Sequence, residues 1–283
     1  MAHSIGISFL GPLGTYSDEA ARRFAARFHA SGPVDFHPRQ SFSGVFESVE
    51  SHESDYGVVA LENSLEGPVT AALDDFVTHD QIEIIGEQVL DIHHCLLTAP
   101  GAGLDQVRTI SSHPQGLAQC RGFIKEVFPT CERRAVGSTA EAARLAAADP
   151  SVAAIASQQA ARLYGLEVAL CQVEDVESDQ TSFALIAPAG TPALEGAPRK
   201  TSLLLFLRDN RPGALLMVLE EFAYAGMNLT KIQSRPTKKV LGEYLFFIDV
   251  EGDIEDANLQ TALACLQLKL REVRVLGCYP TFR

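Results

Sequence analysis

The sequence has no Cys-x-x-Cys pair, no glycine signature for a nucleotide, no apolar run approaching the length of a membrane span, and a shortage of positive charge. Each absence removes a class of function. Cys95, Cys120, Cys131, Cys171, Cys265 and Cys278 are scattered, which argues against a zinc site or a secreted disulfide framework and makes reduced thiols the default. Without G-x-x-x-x-G-K-[ST] or G-x-G-x-x-G, a phosphate-cradling nucleotide loop is rejected. Lys and Arg number 23 against 36 Asp and Glu, a formal charge of −13. That balance disfavours nucleic acid and anionic membrane as partners, yet leaves room for a local pocket for a small anion. No basic segment followed by an apolar stretch opens the chain, and the expected location is the cytoplasm.

What is present begins with a switch in chemistry. Residues 56–61 form a short apolar run suited to a strand covered on both faces, and Glu62-Asn63-Ser64 follow at its carboxyl end. In open α/β sheets ligands bind at that edge. A carboxylate, an amide and a hydroxyl in a row offer donors and acceptors to a polar ligand, while Gly67-Pro68 turns the chain toward a helix. A polar turn capping that helix would use the same residues.

The pattern repeats along the chain. Residues 5–10 read as a strand, and Gly11-Pro12-Leu13-Gly14-Thr15-Tyr16-Ser17 form a loop that opens an Ala-rich helix over 18–28. Free N–H groups at that helix start, with the hydroxyls of Thr15 and Ser17, favour a carboxylate or phosphate. Residues 42–49 and 69–77 have helical spacing, and 82–85 and 89–97 look like two strands. His93, His94 and Cys95 lie in the second of these; adjacent strand residues point to opposite faces, so structural histidines are expected rather than a shared metal. A second polar cluster, Ser112-His113-Pro114-Gln115 with Gln119, enters a helix expected to run to about Phe128. Proline at a first helical position makes Ser112 or His113 the cap and places Gln115 and Gln119 on one face.

Residues 135–139 lead into a helix over 140–148, followed by a small-residue strand at 152–156 and a helix over 158–164 ending at Gly165. Two such β-α lobes facing one another would place polar strand ends in a shared cleft. Asp179-Gln180-Thr181-Ser182-Phe183 adds a third polar cluster before an apolar strand at 184–187. Residues 187–198 are rich in Pro, Gly and Ala, which puts a linker at 188–200 between units at 1–187 and 201–283. The second unit reads βαββαβ, a ferredoxin-like module with exposed edges that invite pairing with another copy.

These residues resemble the prephenate dehydratases that carry a C-terminal ACT regulatory domain, and the resemblance covers nearly the whole chain. It rests on the 11–17 loop, Glu62-Asn63-Ser64-Leu65-Glu66-Gly67, Ser112-His113-Pro114-Gln115 with Gln119, and Leu163-Tyr164-Gly165-Leu166, in order and at similar spacing. Gly213-Ala214-Leu215-Leu216 and Gln233-Ser234-Arg235-Pro236 resemble the two motifs that hold phenylalanine between paired ACT domains, with Gln233 standing where the family has glutamate. The fold implied is α/β: a two-lobed catalytic domain resembling the type 2 periplasmic-binding-protein fold, plus the ferredoxin-like ACT domain.

The resemblance implies decarboxylating dehydration of prephenate to phenylpyruvate without metal or organic cofactor, under control by phenylalanine, in a homodimer or homotetramer. Thr181, Ser112, Gln119, Glu62 and Asn63 are the implied catalytic residues, Thr181 donating to the departing hydroxyl. Thr15, Tyr16, Ser17, Ser64, Gln115, Ser182 and Phe183 are the implied substrate contacts, and Gly213, Ala214, Leu215, Gln233, Ser234, Arg235 and Pro236 the effector contacts. One departure stands out: the family's Thr-Arg-Phe is Thr181-Ser182-Phe183 here. An arginine suited to a dianion has become a neutral hydroxyl, for which Arg121, Arg133 or Arg134 are the candidate replacements. The same departure leaves two alternatives open, a prephenate decarboxylase that does not aromatise the ring and a non-catalytic sensor.

Overall fold

Short apolar segments bounded by glycine, proline and hydroxyl residues build two lobes and a third unit. The computed structural model describes residues 4–28, 32–197, 199–237 and 243–283. The first lobe comprises β1 (Ile5–Leu10), α1 (Tyr16–Ala25), β2 (Val34–Arg39), α2 (Phe42–Glu50), β3 (Tyr56–Asn63), the short β4 (Gly67–Pro68), α3 (Thr70–Thr78) and β5 (Ile82–Asp91). The second runs through β6 (Cys95–Thr98), β7 (Thr109–Ser112), α4 (Pro114–Gln119), α5 (Arg121–Val127), β8 (Glu132–Ala135), α6 (Thr139–Ala148), β9 (Val152–Ala156), α7 (Gln158–Tyr164) and β10 (Glu167–Leu170). The chain then returns to the first lobe as β11 (Gln180–Pro188). β12 (Arg199–Phe206), α8 (Ala214–Tyr224), β13 (Leu229–Pro236), β14 (Tyr244–Glu251), α9 (Ala257–Lys269) and β15 (Glu272–Phe282) follow in the βαββαβ order of a ferredoxin-like module.

The second lobe has its own five-stranded sheet, in the order β10-β6-β9-β7-β8. The first lobe and the C-terminal unit share a ten-stranded one, β13-β14-β12-β15-β5-β11-β3-β1-β2, with β4 on β3. The join is a short parallel pairing of Thr281 with Glu87 and Phe282 with Gln88. Apolar packing follows the same join. Phe46, Leu73 and Phe76 from α2 and α3 belong to one core with Leu204, Leu245, Phe247 and Tyr279 of the C-terminal sheet. The other face of that sheet packs under α8 and α9 through Val218, Phe222, Leu259 and Leu266.

Three details differ from the pattern-based expectation. The two strands expected at 82–85 and 89–97 are β5 and β6, with the break after Asp91: Glu87 and Gln88 lie inside β5, only 3% and 0% exposed. Their polar atoms are paired, Glu87 with Lys200 and Thr281 and Gln88 with Arg27, so they do not end the strand. The helix expected from Pro114 to Phe128 is interrupted at Cys120, whose φ of −111° and ψ of 21° leave the helical region. The edge strands β2 and β8, Val-Asp-Phe-His-Pro-Arg and Glu-Arg-Arg-Ala, carry no clean alternation and are defined by their parallel neighbours β1 and β7.

Gly277 makes the join possible. Its φ is +150°, and a Cβ there would sit 2.0 Å from the Ile84 carbonyl oxygen. Only glycine lets the two backbones come this close. Gly277→Ala is expected to cost at least about 3 kcal/mol, read as a lowered urea midpoint, because strain and a backbone clash act together.

Candidate active site

Strands β3 and β11 lie antiparallel, with Asn63 opposite Thr181 and Glu62 opposite Ser182. Alternation along a strand sends these neighbouring cross-strand pairs to opposite faces. Asn63 and Thr181 face a cavity of about 230 Å³ between the lobes, whose lining also includes Thr15, Tyr16, Ser17, His94, His113, Gln115, Gln119 and Asp179. Glu62 and Ser182 face the other way, toward the C-terminal unit. The Glu62 carboxylate pairs with Lys231 Nζ at 2.9 Å. The Ser182 hydroxyl donates to Glu87, whose other oxygen is 2.7 Å from Lys200 Nζ. Burial would raise the Glu87 carboxyl, but the Lys200 charge and the hydrogen bonds from Lys200, Ser182 and Thr281 outweigh it and hold it below the usual carboxylate range.

On the cavity side every hydrogen-bonding atom of the Asn63 amide is used. Its Oδ1 accepts from the N–H groups of Leu65 and Glu66 at 3.0 and 2.9 Å, while Nδ2 donates to Asp179 Oδ1 at 2.6 Å and to Thr181 Oγ1 at 2.9 Å. That pattern sets the amide orientation without ambiguity. It also fills an acceptor site on Thr181, so the threonine proton is free to point into the cavity. Ser64 braces the same corner, its hydroxyl accepting from Gln180 N at 2.9 Å.

The second lobe reaches Asp179 through Gln119, whose Nε2 donates to Asp179 Oδ2 at 3.0 Å and whose Oε1 lies 2.8 Å from His94 Nε2. His113 caps α4, its Nδ1 accepting from Gln115 N at 3.3 Å. Tyr16 contacts the His94 ring edge-on and donates to the His93 carbonyl at 2.6 Å. Burial, with Glu19 nearby, raises the Tyr16 phenol well above its ordinary range and keeps it a donor.

Thr15, Tyr16, Ser17, Asn63, Gln115, Gln119 and Thr181 thus meet around one cavity. Other expected residues stand apart from it. Ser112 is fully buried and donates to the Ile155 carbonyl at 2.7 Å, which commits its proton to the second sheet. Phe183 lies in the core beneath α1 with Phe24 and Leu185. Ser182 does not face the cavity, so the substitution in Thr-Ser-Phe removes no charge from it. Arg121, Arg133 and Arg134 do not line it either, and β8 is exposed throughout.

His94, His113, Ser138, Thr139 and Asp179 line the cavity without having been singled out as ligand contacts. For Ser138 and Thr139 the signal was a hydroxyl pair at a strand-to-helix turn, the same signal as Thr15. Asp179 begins the third polar cluster, yet only pairing of β11 with β3 brings it to Asn63. Among the described residues no group of His, Cys, Asp and Glu is arranged to hold a metal ion.

In the C-terminal unit Gly213 adopts a φ of +82° before α8, and Ala214 lines a cavity of about 410 Å³ with Arg208, Arg211 and Lys269. Gln233, Ser234, Arg235 and Pro236 close β13, an edge strand. Arg235 is already bidentate to Asp74 of α3, at 2.7 and 2.9 Å. No helix among the described residues is long and apolar enough to cross a membrane.

The family model for prephenate dehydratase matches residues 7–191, and the model for the ACT domain matches residues 201–264. A bifunctional chorismate mutase/prephenate dehydratase of Neisseria gonorrhoeae is 40% identical over 280 residues, 97% of this chain and 74% of that protein. A prephenate dehydratase of Methanocaldococcus jannaschii is 37% identical over 273 residues, 96% of each. The crystal structure of a prephenate dehydratase from Arthrobacter aurescens in complex with L-Phe superposes with a TM-score of 0.87 at 33% identity, over 98% of this chain and 90% of that one. GqqA, described as a novel type of quorum quenching acylase, superposes with a TM-score of 0.86 at 32% identity, over 98% of each chain. The chain belongs to the prephenate dehydratase family, with an ACT domain after the catalytic domain.

Proposed function

We propose that this chain converts prephenate to phenylpyruvate in the cavity beside Thr181. In that reaction the bond from the ring to its carboxylate breaks, the electron pair enters the ring, and the carbon–oxygen bond of the ring hydroxyl breaks on the other side. The dianion becomes a monoanion, carbon dioxide and hydroxide, and aromaticity supplies the driving force. The protein must hold the ring in place and stabilise the departing oxygen. The observation that carries the reading is Thr181: its oxygen accepts from Asn63 Nδ2 at 2.9 Å, leaving its proton to donate to that oxygen. Gln115, Tyr16 and the helix start at Thr15 and Ser17 supply further polar contacts around the substrate.

The decarboxylase alternative rested on Ser182, which lies on the far face of β11 and so offers no reason to withhold help from the hydroxyl. An acylase reading is also disfavoured. Acyl transfer needs a nucleophile paired to a base, and the hydrogen bonds of His94 and His113 among the described residues go to Gln119 and to the Gln115 backbone. The six free cysteines suit a cytoplasmic enzyme.

Phenylalanine, in this reading, binds where two ACT domains meet along β13, in a homodimer or a dimer of dimers, in contact with the Gly213-Ala214-Leu215 turn and the Gln233-Ser234-Arg235-Pro236 strand end. β13 then carries the signal. Lys231 holds Glu62, the neighbour of Asn63, and lies 3.4 Å from the Leu61 carbonyl, and Arg235 holds α3 through Asp74. A shift of β13 on effector binding bears directly on the strand that orients Thr181.

Incubation with prephenate should yield phenylpyruvate, identified by mass and by its enol absorbance in alkali; a non-aromatic keto acid would reinstate the decarboxylase. Thr181→Val should lower kcat about 100-fold with little change in KM, the signature of a contact made in the transition state. Ser182→Ala should leave the product unchanged and kcat within about threefold, since the hydroxyl serves Glu87. Lys231→Met should raise the phenylalanine concentration for half-inhibition about tenfold, read from inhibition curves at fixed prephenate, because one of two links from β13 is cut.

A further inference from the structure

The chain crosses between the two lobes twice. The first crossing runs from the end of β5 at Asp91 to the start of β6 at Cys95, the second from the end of β10 at Leu170 to the start of β11 at Gln180. A cysteine stands at the second-lobe end of each. In the antiparallel ladder Val168 pairs with Leu97 and Leu170 with Leu96, so the next step brings Cys171 alongside Cys95. The two thiols are in hydrogen-bonding contact, and the Cys95 sulfur also accepts from the Gln172 backbone N–H. Both cysteines are free, Cys95 buried and Cys171 exposed. Facing residues of an antiparallel pair have Cα atoms about 4.5–5.5 Å apart, within the range that a disulfide spans.

The second crossing holds the first, and both hold the cavity. Val173 N–H donates to the His94 carbonyl at 3.0 Å. The Glu174 carboxylate accepts from the His94 backbone N–H at 2.8 Å and meets His93 Nδ1 at the same distance. Asp175 N–H donates to the Gln119 carbonyl at 2.7 Å, and its carboxylate accepts from Gly122 N–H at 2.8 Å. His94 and Gln119 line the cavity. Gln172, with a φ of +54°, turns the chain out of β10 into this stretch. The residues that follow Cys171 therefore fix the backbone of two cavity residues.

We infer that Cys95 and Cys171 form a reversible disulfide that ties the two crossings together, with a peroxide as oxidant, and that this bond lowers turnover in the cavity. Cys171, at the surface, is the sulfur that peroxide reaches. Its attack on the oxygen–oxygen bond of hydrogen peroxide gives a sulfenic acid and one water. The Cys95 sulfur then displaces the sulfenic hydroxyl, which takes the Cys95 proton and leaves as a second water. One sulfur–sulfur bond has formed, two thiols have lost two electrons, and one peroxide has been reduced to two waters. Burial, with the Cys171 contact, pushes the Cys95 thiol up to about 12, so it keeps its proton until its partner is oxidised. Two equivalents of a small thiol return both electrons and reopen the bond. Disulfides in a reducing compartment are characteristically transient in this way.

Closing the bond draws the sulfurs from contact distance to about 2.05 Å. Cys95 belongs to the core of the second sheet with Leu97, Ala156 and Ala160, whereas Cys171 lies at the surface, so the movement falls on the Cys171 side. It passes through Val173, Glu174 and Asp175 to His94 and Gln119. Small displacements of groups that position a substrate are costly to rate.

The test treats the reduced full-length chain with hydrogen peroxide and maps its cysteines by mass spectrometry without reduction. A species lighter by two hydrogens is expected, with the Cys95 and Cys171 peptides linked, and phenylpyruvate formation should fall about tenfold and return with dithiothreitol. Cys171→Ser should match the turnover of the reduced wild-type chain, form no linked peptide and lose the peroxide effect. Cys95→Ala should leave Cys171 as a sulfenic acid that dimedone traps. A folded chain without the linked peptide, a link from Cys171 to a different cysteine, or a Cys95–Cys171 bond that leaves turnover unchanged would overturn the inference. Only the activity readout rests on the dehydratase reading: a reduced chain that forms the linked peptide but makes no phenylpyruvate would sink that reading and leave the cysteine pair in place.

Discussion

The lining of the cavity between the lobes is organised by a single side-chain amide. Asn63 sits at the end of β3, accepts from the two backbone N–H groups that follow it, and spends both of its own protons on Asp179 and Thr181. Those four contacts tie the turn after β3 to the start of β11, segments more than a hundred residues apart in the chain. They also orient the Thr181 hydroxyl, the group proposed to donate to the departing oxygen. In a buried setting a fully used amide costs little, whereas losing one contact would leave an unpaired polar atom and loosen the rest.

The second lobe joins this centre by extending the same network. Gln119 meets the Asp179 carboxylate with one end of its amide and His94 with the other, so one hydrogen-bonded chain runs from Asn63 through Asp179 into the second lobe.

Alternation along β3 and β11 connects catalysis to regulation. One cross-strand pair, Asn63 with Thr181, faces the cavity; the next, Glu62 with Ser182, faces the C-terminal unit and meets Lys231 and the Glu87–Lys200 pair. The ACT domain is therefore joined to the active-site strands through side chains, through a shared apolar core and through one continuous sheet, closed at Gly277 where a Cβ would not fit. A displacement of β13 has few degrees of freedom left that do not reach Asn63.

The α/β alternation, the βαββαβ unit and the polar clusters at strand ends were legible in the sequence because each rests on local chemistry: apolar runs of strand length, hydroxyl caps, and glycine or proline at turns. Thr181, Asn63 and Gln119 were legible for the same reason, standing where strand or helix chemistry gives way to polar chemistry. The direction in which a side chain points was not. Glu62 and Asn63, or Ser182 and Thr181, are equivalent neighbours in the sequence, and only the pairing register assigns one of each to the cavity and the other to the regulatory face. The arginine missing at Ser182 looked like a loss at the site until that register showed it on the opposite side. That His94 lines the cavity was not legible either, because its partner Gln119 lies 25 residues away and Asp179 another 60 beyond. Local propensity determined which elements form, and the long-range contacts between them decided which residues do chemistry.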